Sequence, residues 1–273
     1  MKAEAQYGTL AGILREAGRR AEAARLDRAR LERDAARAPE PAAFAAALRA
    51  GDRVRVVAEI KRRSPSAGRL AGAASADVAA LARELEAGGA AALSVLTEER
   101  HFGGSLDDLA RVAATVRIPL LRKDFLLEPA QVFEARAAGA SAVLLIARIL
   151  EAGRLAELAR LAAELGMTAL VELHAEPELT AARAARPGAI GVNARDLDTL
   201  AVDARVVERL LPLVPDGCAA VAESGIAAPA DVERAAAWGA DAVLVGTAIS
   251  GAADPAAALA TLIGIRRERR VER

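Results

Sequence analysis

Of the 37 basic residues in this 273-residue chain, only Lys2, Lys61 and Lys123 are lysine, and the rest are arginine. Lys61 and Lys123 close the apolar runs VRVVAEIK and IPLLRK, which read as β-strands. An arginine keeps its proton in a protein, whereas a desolvated amine can release and regain one, so arginine is no substitute where a proton must move. Lys61 and Lys123 are therefore candidate catalytic groups. The chain's only asparagine, Asn193, ends another apolar run, AIGVN.

Other polar residues gather at matching places. Glu59 precedes Lys61 in AEIKRRSPS, Asp124 follows Lys123 in LRKDF, and Glu172 and His174 share VELH. Asn193 and Arg195 lie in VNAR, Glu223 and Ser224 in AESG, Gly246 and Thr247 in VGT. Alternate strand residues share a face, so Glu59 and Lys61 can both enter a barrel mouth while Ile60 packs outward. Amines and carboxylates among apolar walls form a proton-transfer set: neighbouring lysines are expected to lower each other's pKa, and glutamates to rise. An interior Glu59–Lys61 ion pair that merely closes a layer of the barrel is the structural alternative. His174 reads as a solvated residue at a loop start, and His101, before Phe102, as a ring able to stack on a substrate. With two histidines and the single Cys218, no metal-ligand spacing is present, nor is a Ser/His/Asp triad; neither metal nor cofactor is expected.

Eight apolar runs must position these groups: 54–60, 91–97, 118–124, 141–147, 168–174, 189–193, 218–224 and 241–247. Each is followed by a polar turn and an Ala-rich helical segment. Strands alternating with helices imply parallel pairing, and nearly all-apolar strands imply cover on both faces. Eight units favour an α/β fold of the closed (β/α)8 TIM-barrel type over an open doubly wound sheet, and the first strand lacks a G-x-G-x-x-G turn. The repeats EAGGAAALSVL, RAAGASAVLLI and AAWGADAVLVG each place Gly between helix end and strand, where a left-handed backbone ends the helix. Residues 1–50 read as an N-terminal helical extension, with a break near Gly18 and a short FAAALRA helix, and 51–273 as the barrel. The extension could cap the bottom, the flank or the loop face.

In such barrels, catalytic groups come from the C-terminal strand ends, and the loops after the seventh and eighth strands often hold phosphate. Here those loops are SGI and GTAI, small residues able to surround an anion, so a phosphorylated small molecule is the expected ligand. Close helix packing is the alternative reason for small residues there. Ser64 and Ser66 add hydroxyls in a long first loop that could close as a lid. Composition is 53% hydrophobic with only 2% aromatic, and acidic and basic residues balance at 37 each. That gives no basis for nucleic-acid binding. The Arg-rich end RRERRVER reads as a solvated helix end. No signal peptide or membrane span is visible, and a cytoplasmic location is expected.

Taken in order, EIKRRSPSAG, LSVLTEERHFGGSLDDL, IPLLRKDF, ALVELH, GVNARDLDTL, AESGI and DAVLVGTAI resemble the indole-3-glycerol-phosphate synthase family from about residue 41 to 262. The resemblance implies a metal-free barrel that converts 1-(2-carboxyphenylamino)-1-deoxyribulose 5-phosphate to indole-3-glycerol phosphate, carbon dioxide and water in tryptophan biosynthesis. It implies Lys123 as main general acid and Glu172 as proton acceptor or stabiliser of positive charge. Glu59 and Lys61 would serve dehydration and the substrate carboxylate, and Asn193 and Glu223 would position hydroxyls or the amine. Ser64, Ser224, Gly225, Gly246 and Thr247 would surround phosphate, Arg195 would orient the carboxylate side, and Phe102 would contact substrate. Other enzymes of that pathway are the candidate protein partners. His101 stands where the family more often carries a bulky aromatic, and Ala194 where a second amide is expected.

Overall fold

The computed structural model describes residues 10–64, 68–70 and 77–268. Its eight long apolar runs become the strands β1 (Arg55–Ile60), β2 (Ala92–Leu96), β3 (Leu120–Lys123), β4 (Ala142–Ile146), β5 (Thr168–Leu173), β6 (Ala189–Asn193), β7 (Ala219–Glu223) and β8 (Ala242–Val245). They pair in parallel and in sequence, and β1 closes on β8, which settles the choice between closed barrel and open sheet. This is a (β/α)8 TIM barrel. Gly89, Gly139 and Gly239, at the repeated helix-to-strand joints, have φ of 93°, 88° and 89°, the left-handed backbone that glycine adopts without a Cβ clash.

Burial separates the two faces of each strand. Val56, Ala58 and Ile60 of β1 pack outward against a ring of helices, whereas Val57 joins Leu121, Leu144, Leu170 and Val221 inside. The helices after each strand are α4 (Val78–Ala87), α5 (Leu106–Ala113), α6 (Pro129–Ala137), α7 (Ala152–Glu164), α8 (Glu178–Ala184), α9 (Ala204–Leu210), α10 (Pro229–Ala237) and α11 (Pro255–Leu262).

Three helices precede the barrel: α1 (Leu10–Leu26), α2 (Arg28–Arg37) and α3 (Phe44–Arg49). The break expected near Gly18 falls at Asp27 instead. A helical glycine costs about 1 kcal/mol relative to alanine. Burial of Ile13, Ala17, Ala21 and Ala24 along one stripe offsets that cost and carries α1 through Gly18. The extension serves both ends of the barrel. Phe44 and Leu48 of α3, both fully buried, join the interior from the N-terminal side, and Ile13 and Ala17 of α1 meet Phe125 just beyond β3 on the loop face. The described arginines of the C-terminal stretch are not a helix end: α11 stops at Leu262, Arg266 bridges to Arg53, and Arg267 reaches Asp241 at 2.8 Å. Ser66 lies outside the described residues, as does much of the first loop expected to act as a lid.

A polar network ties α1 to the barrel. Arg20 donates to Asp124 Oδ1 at 2.7 Å, and Asp124 Oδ2 accepts from Thr97 at 2.8 Å and from Arg122 at 3.2 Å. Arg122 also donates to the Gln131 carbonyl and pairs with Glu134. Burial works against the Asp124 charge, but Arg122 and Arg20 outweigh it and hold the carboxyl below its ordinary range. Removing one partner of such a buried group strands the others, so Asp124→Ala is expected to cost about 3 kcal/mol in urea unfolding. Arg20→Ala, whose side chain is 23% exposed, should cost less.

Candidate active site

The strand ends deliver their polar side chains to one cavity of about 430 Å³ at the C-terminal mouth. Glu59, Lys61, Lys123, Asn193, Arg195 and Glu223 line it, and Ser224, Gly225, Gly246 and Thr247 form the wall after β7 and β8. Glu172 meets this group through Lys123. Two residues expected here lie apart. Ser64 is buried in a two-residue antiparallel pairing with Gly68, and Phe102 packs against the apolar cluster that caps the interior.

Lys123 is the centre of the arrangement. Its Nζ donates to Glu172 Oε2 at 2.8 Å and to Glu223 Oε2 at 2.5 Å. Burial disfavours the ammonium, but the Glu172, Glu223 and Glu59 carboxylates outweigh it and raise the Lys123 pKa well above the ordinary value. The expectation that the two lysines depress each other is thereby overturned for Lys123. Its field comes from carboxylates contributed by β5, β7 and β1, residues too distant in sequence to be paired by inspection.

The two glutamates diverge. Burial would raise Glu172, but Lys123 and His174 together pull it well below the ordinary carboxylate range. Burial dominates at Glu223, and with the Glu172 charge added it is pushed up to about 8 despite Lys123. The expected rise therefore holds for Glu223 and fails for Glu172. Glu223 Oε1 is buried without a hydrogen-bond partner and faces Gly191, where a Cβ would stand 2.0 Å from it. Only glycine leaves room for that carboxylate.

On the other side, Lys61 Nζ meets Glu59 Oε1 at 2.8 Å, so the ion pair forms, and it forms within the cavity rather than in a sealed layer. Ser250 fixes the end of β1 by donating to the Glu59 carbonyl at 2.6 Å while accepting from the Lys61 backbone N–H at 3.2 Å. A Cβ on Gly246 would lie 2.2 Å from Glu59 Oε1 and 2.5 Å from Lys61 Nζ. Asn193 Oδ1 accepts from the Arg195 backbone N–H at 2.9 Å, and Arg195 donates to the Leu200 carbonyl at 2.8 Å. After β7, Ser224 and Gly225 take φ of 65° and 74°. A serine held in the left-handed region costs about 1 kcal/mol or more, and turns of this kind can gather backbone N–H groups around an anion.

Both histidines depart from expectation. His174 is buried rather than solvated, with Nε2 3.2 Å from Glu172 Oε1. His101 is buried with Nδ1 3.0 Å from Glu98 Oε1, where it supports a short turn instead of presenting a ring to the cavity. Arg20 and Gly191 were missed. Gly191 inside the run AIGVN carried a signal, since glycine within a strand often marks a close approach, whereas nothing local in α1 distinguishes Arg20 from its neighbouring arginines.

A parallel barrel whose mouth holds two amines and three buried carboxylates is a (β/α)8-barrel enzyme equipped for acid–base catalysis. The family model for indole-3-glycerol phosphate synthase matches residues 11–262. An indole-3-glycerol phosphate synthase of Parafrankia sp. is 53% identical over 235 residues, 86% of this chain and 87% of that protein. One of Leifsonia xyli subsp. xyli is 50% identical over 257 residues, 93% and 96% of the two chains. Among solved structures, 3-hexulose-6-phosphate synthase from Salmonella typhimurium superposes with a TM-score of 0.59 at 15% identity, covering 77% of this chain and 96% of that one. That likeness concerns the fold alone. The chain belongs to the indole-3-glycerol phosphate synthase family, carboxy-lyases of tryptophan biosynthesis.

Because the Glu223 pKa is raised from 4.5 to about 8 on folding, the native state binds that proton more tightly than the unfolded chain. Native stability is then lost as pH rises through this window. Glu223→Gln removes the loss: thermal scans should show a higher Tm than the parent at pH 8, with the difference vanishing near pH 4.

Proposed function

We propose that the mouth cavity closes the indole ring of 1-(2-carboxyphenylamino)-1-deoxyribulose 5-phosphate and then dehydrates the product of closure by general acid–base catalysis. The observation that supports this most directly is the Lys123 ammonium held between Glu172 and Glu223 at the cavity floor. As the ring carbon bearing the carboxylate attacks the ketone carbon, Lys123 gives a proton to the ketone oxygen. Glu172, ionised, stabilises the positive charge that develops on the anilino nitrogen. Carbon dioxide then leaves with its bonding electrons returned to the ring. In the second stage Lys61 protonates the departing hydroxyl, water leaves, and Glu59 accepts the proton lost from the adjacent carbon. Glu223, titrating near neutrality, is the group suited to exchange protons with Lys123 between turnovers.

Binding follows the layout of the walls. The turns at Ser224, Gly225, Gly246 and Thr247 take the phosphate. Asn193 positions the sugar hydroxyls, and Arg195 orients the carboxylate side. Val202, Ile226 and Leu244, which line the same cavity, offer apolar faces to the aromatic ring. Enzymes that make this substrate and consume this product are the proposed protein contacts, and the cytoplasm is the proposed place of action. Among the described residues no helix is long and apolar enough to cross a membrane.

Lys123→Arg keeps the charge but not the deliverable proton, so turnover should fall on the order of a hundredfold or more while the fold persists. Indole fluorescence on adding the anilino-ribulose substrate measures it. Near-parental kcat in that variant would sink the assignment of Lys123 as the acid. Gly246→Ala, by pushing Glu59 and Lys61 out of register, should lower kcat without unfolding the barrel.

A further inference from the structure

The two oxygens of Glu172 are held separately. Oε2 accepts from Lys123 Nζ at 2.8 Å, and Oε1 faces His174 Nε2 at 3.2 Å. The His174 side chain is only 4% exposed, and neither ring nitrogen has a well-aligned hydrogen-bond partner. Its second nitrogen, Nδ1, lies 3.9 Å from Glu178 Oε2. Glu178 is anchored in turn at the start of α8, accepting from the backbone N–H groups of His174 at 2.7 Å and Ala175 at 3.3 Å. The imidazole thus sits between two carboxylates.

That placement selects a protonation state. A neutral imidazole has one N–H and one lone pair, so one of its two carboxylate neighbours would face the lone pair. An imidazolium presents N–H to both. Burial opposes the charged ring, but the Glu172 contact, reinforced by Glu178 and Glu223, outweighs it and raises the His174 pKa above its ordinary value. The charged groups around the ring are Glu172 on its own strand, Glu178 from α8, Glu223 from β7, Lys123 beyond Glu172, and Arg148 on the turn against which α8 packs. Carboxylates are its nearest charged neighbours.

We propose that His174 is a positioning residue for the reaction, an imidazolium that holds Glu172 Oε1 and keeps that carboxylate ionised and aligned on Lys123. The proposal rests on the role given above to Glu172. It explains why two buried glutamates sharing one lysine behave differently. Glu172 has a second cation, whereas Glu223 Oε1 has no partner at all. The proton that the cluster retains near neutrality therefore resides on Glu223, and Glu172 stays available to meet positive charge on the substrate.

The chain has only His101 and His174, so imidazole NMR of the intact enzyme resolves the ring directly, with His101→Asn giving the assignment. His174 should be protonated at pH 7 and titrate above 6.5, and Glu172→Gln should bring its titration down. In His174→Gln, Glu172 loses a cation and holds its proton to higher pH. The acid limb of the kcat/KM profile should then move up by about one pH unit, as expected for loss of a neighbouring opposite charge. At pH 7 kcat should fall roughly tenfold or more, with KM little changed, as for loss of alignment rather than of affinity. A neutral His174 ring at pH 7 in the unmodified enzyme, or an unmoved acid limb in folded His174→Gln, would overturn the proposal. Near-parental turnover in Glu172→Gln would instead remove the role of Glu172 beneath it. An inactive Glu172→Gln beside an unshifted His174→Gln profile would overturn the positioning role alone.

Discussion

The Lys123 ammonium, buried with two carboxylates in contact, is the constraint around which the mouth is organised. Taking a cation and two anions out of water is unfavourable, and their attraction compensates only when the geometry is good. The barrel supplies that geometry by its own packing rule. Interior side chains of a (β/α)8 barrel come in layers of four from alternate strands. Glu59, Lys123, Glu172 and Glu223 come from β1, β3, β5 and β7, so the odd strands contribute charged side chains where the layers below are apolar. The even strands make space: Gly191 lies on β6 and Gly246 directly follows β8, and each would collide with one of those carboxylates if it carried a Cβ. Charge on one set of strands and absence of side chain on the other are two halves of one arrangement.

The outward face of β3 carries a second polar cluster. Arg122 and Asp124 flank Lys123 in sequence and point away from the cavity, joining Thr97, Gln131 and Arg20. This cluster holds the end of β3, and α1 is part of it through Arg20. The N-terminal helices therefore bear on the site without entering its chemistry: α3 fills the barrel from below, and α1 covers the loop face beside Phe125. A shift of α1 would be felt first at Asp124, one residue from the proposed acid.

Much of this was readable from residue types. The period-two alternation of a strand put Glu59 and Lys61 on one face, eight apolar runs gave the barrel, and the scarcity of lysine marked Lys61 and Lys123. What stayed hidden depends on distance along the chain. Nothing near Lys123 says that residues 49 and 100 positions away will meet its ammonium, so the fall expected of the Lys123 pKa has the wrong direction. His174 misled for a related reason. A histidine after a strand ordinarily meets water, and only the return of α8 with Glu178 encloses it. Gly18 misled through propensity, which a buried stripe on α1 overrides.

The end of β7 joins binding to reaction. Glu223 is the last residue of the strand, and Ser224 and Gly225 turn at once into left-handed backbone. The carboxylate aimed at Lys123 and the turn suited to an anion are thus consecutive residues, with no flexible segment between them. The end of β8 repeats the pattern, since Gly246 abuts Glu59 and Lys61 and precedes Thr247. In the proposed binding mode, attraction for the substrate phosphate at these turns would be transmitted through two short connections to both amine–carboxylate pairs. Binding energy from a part of the substrate that does not react can then be spent on placing the part that does. A serine held in strained backbone at this joint fits that proposed use: relaxing Ser224 would re-aim the turn relative to Glu223.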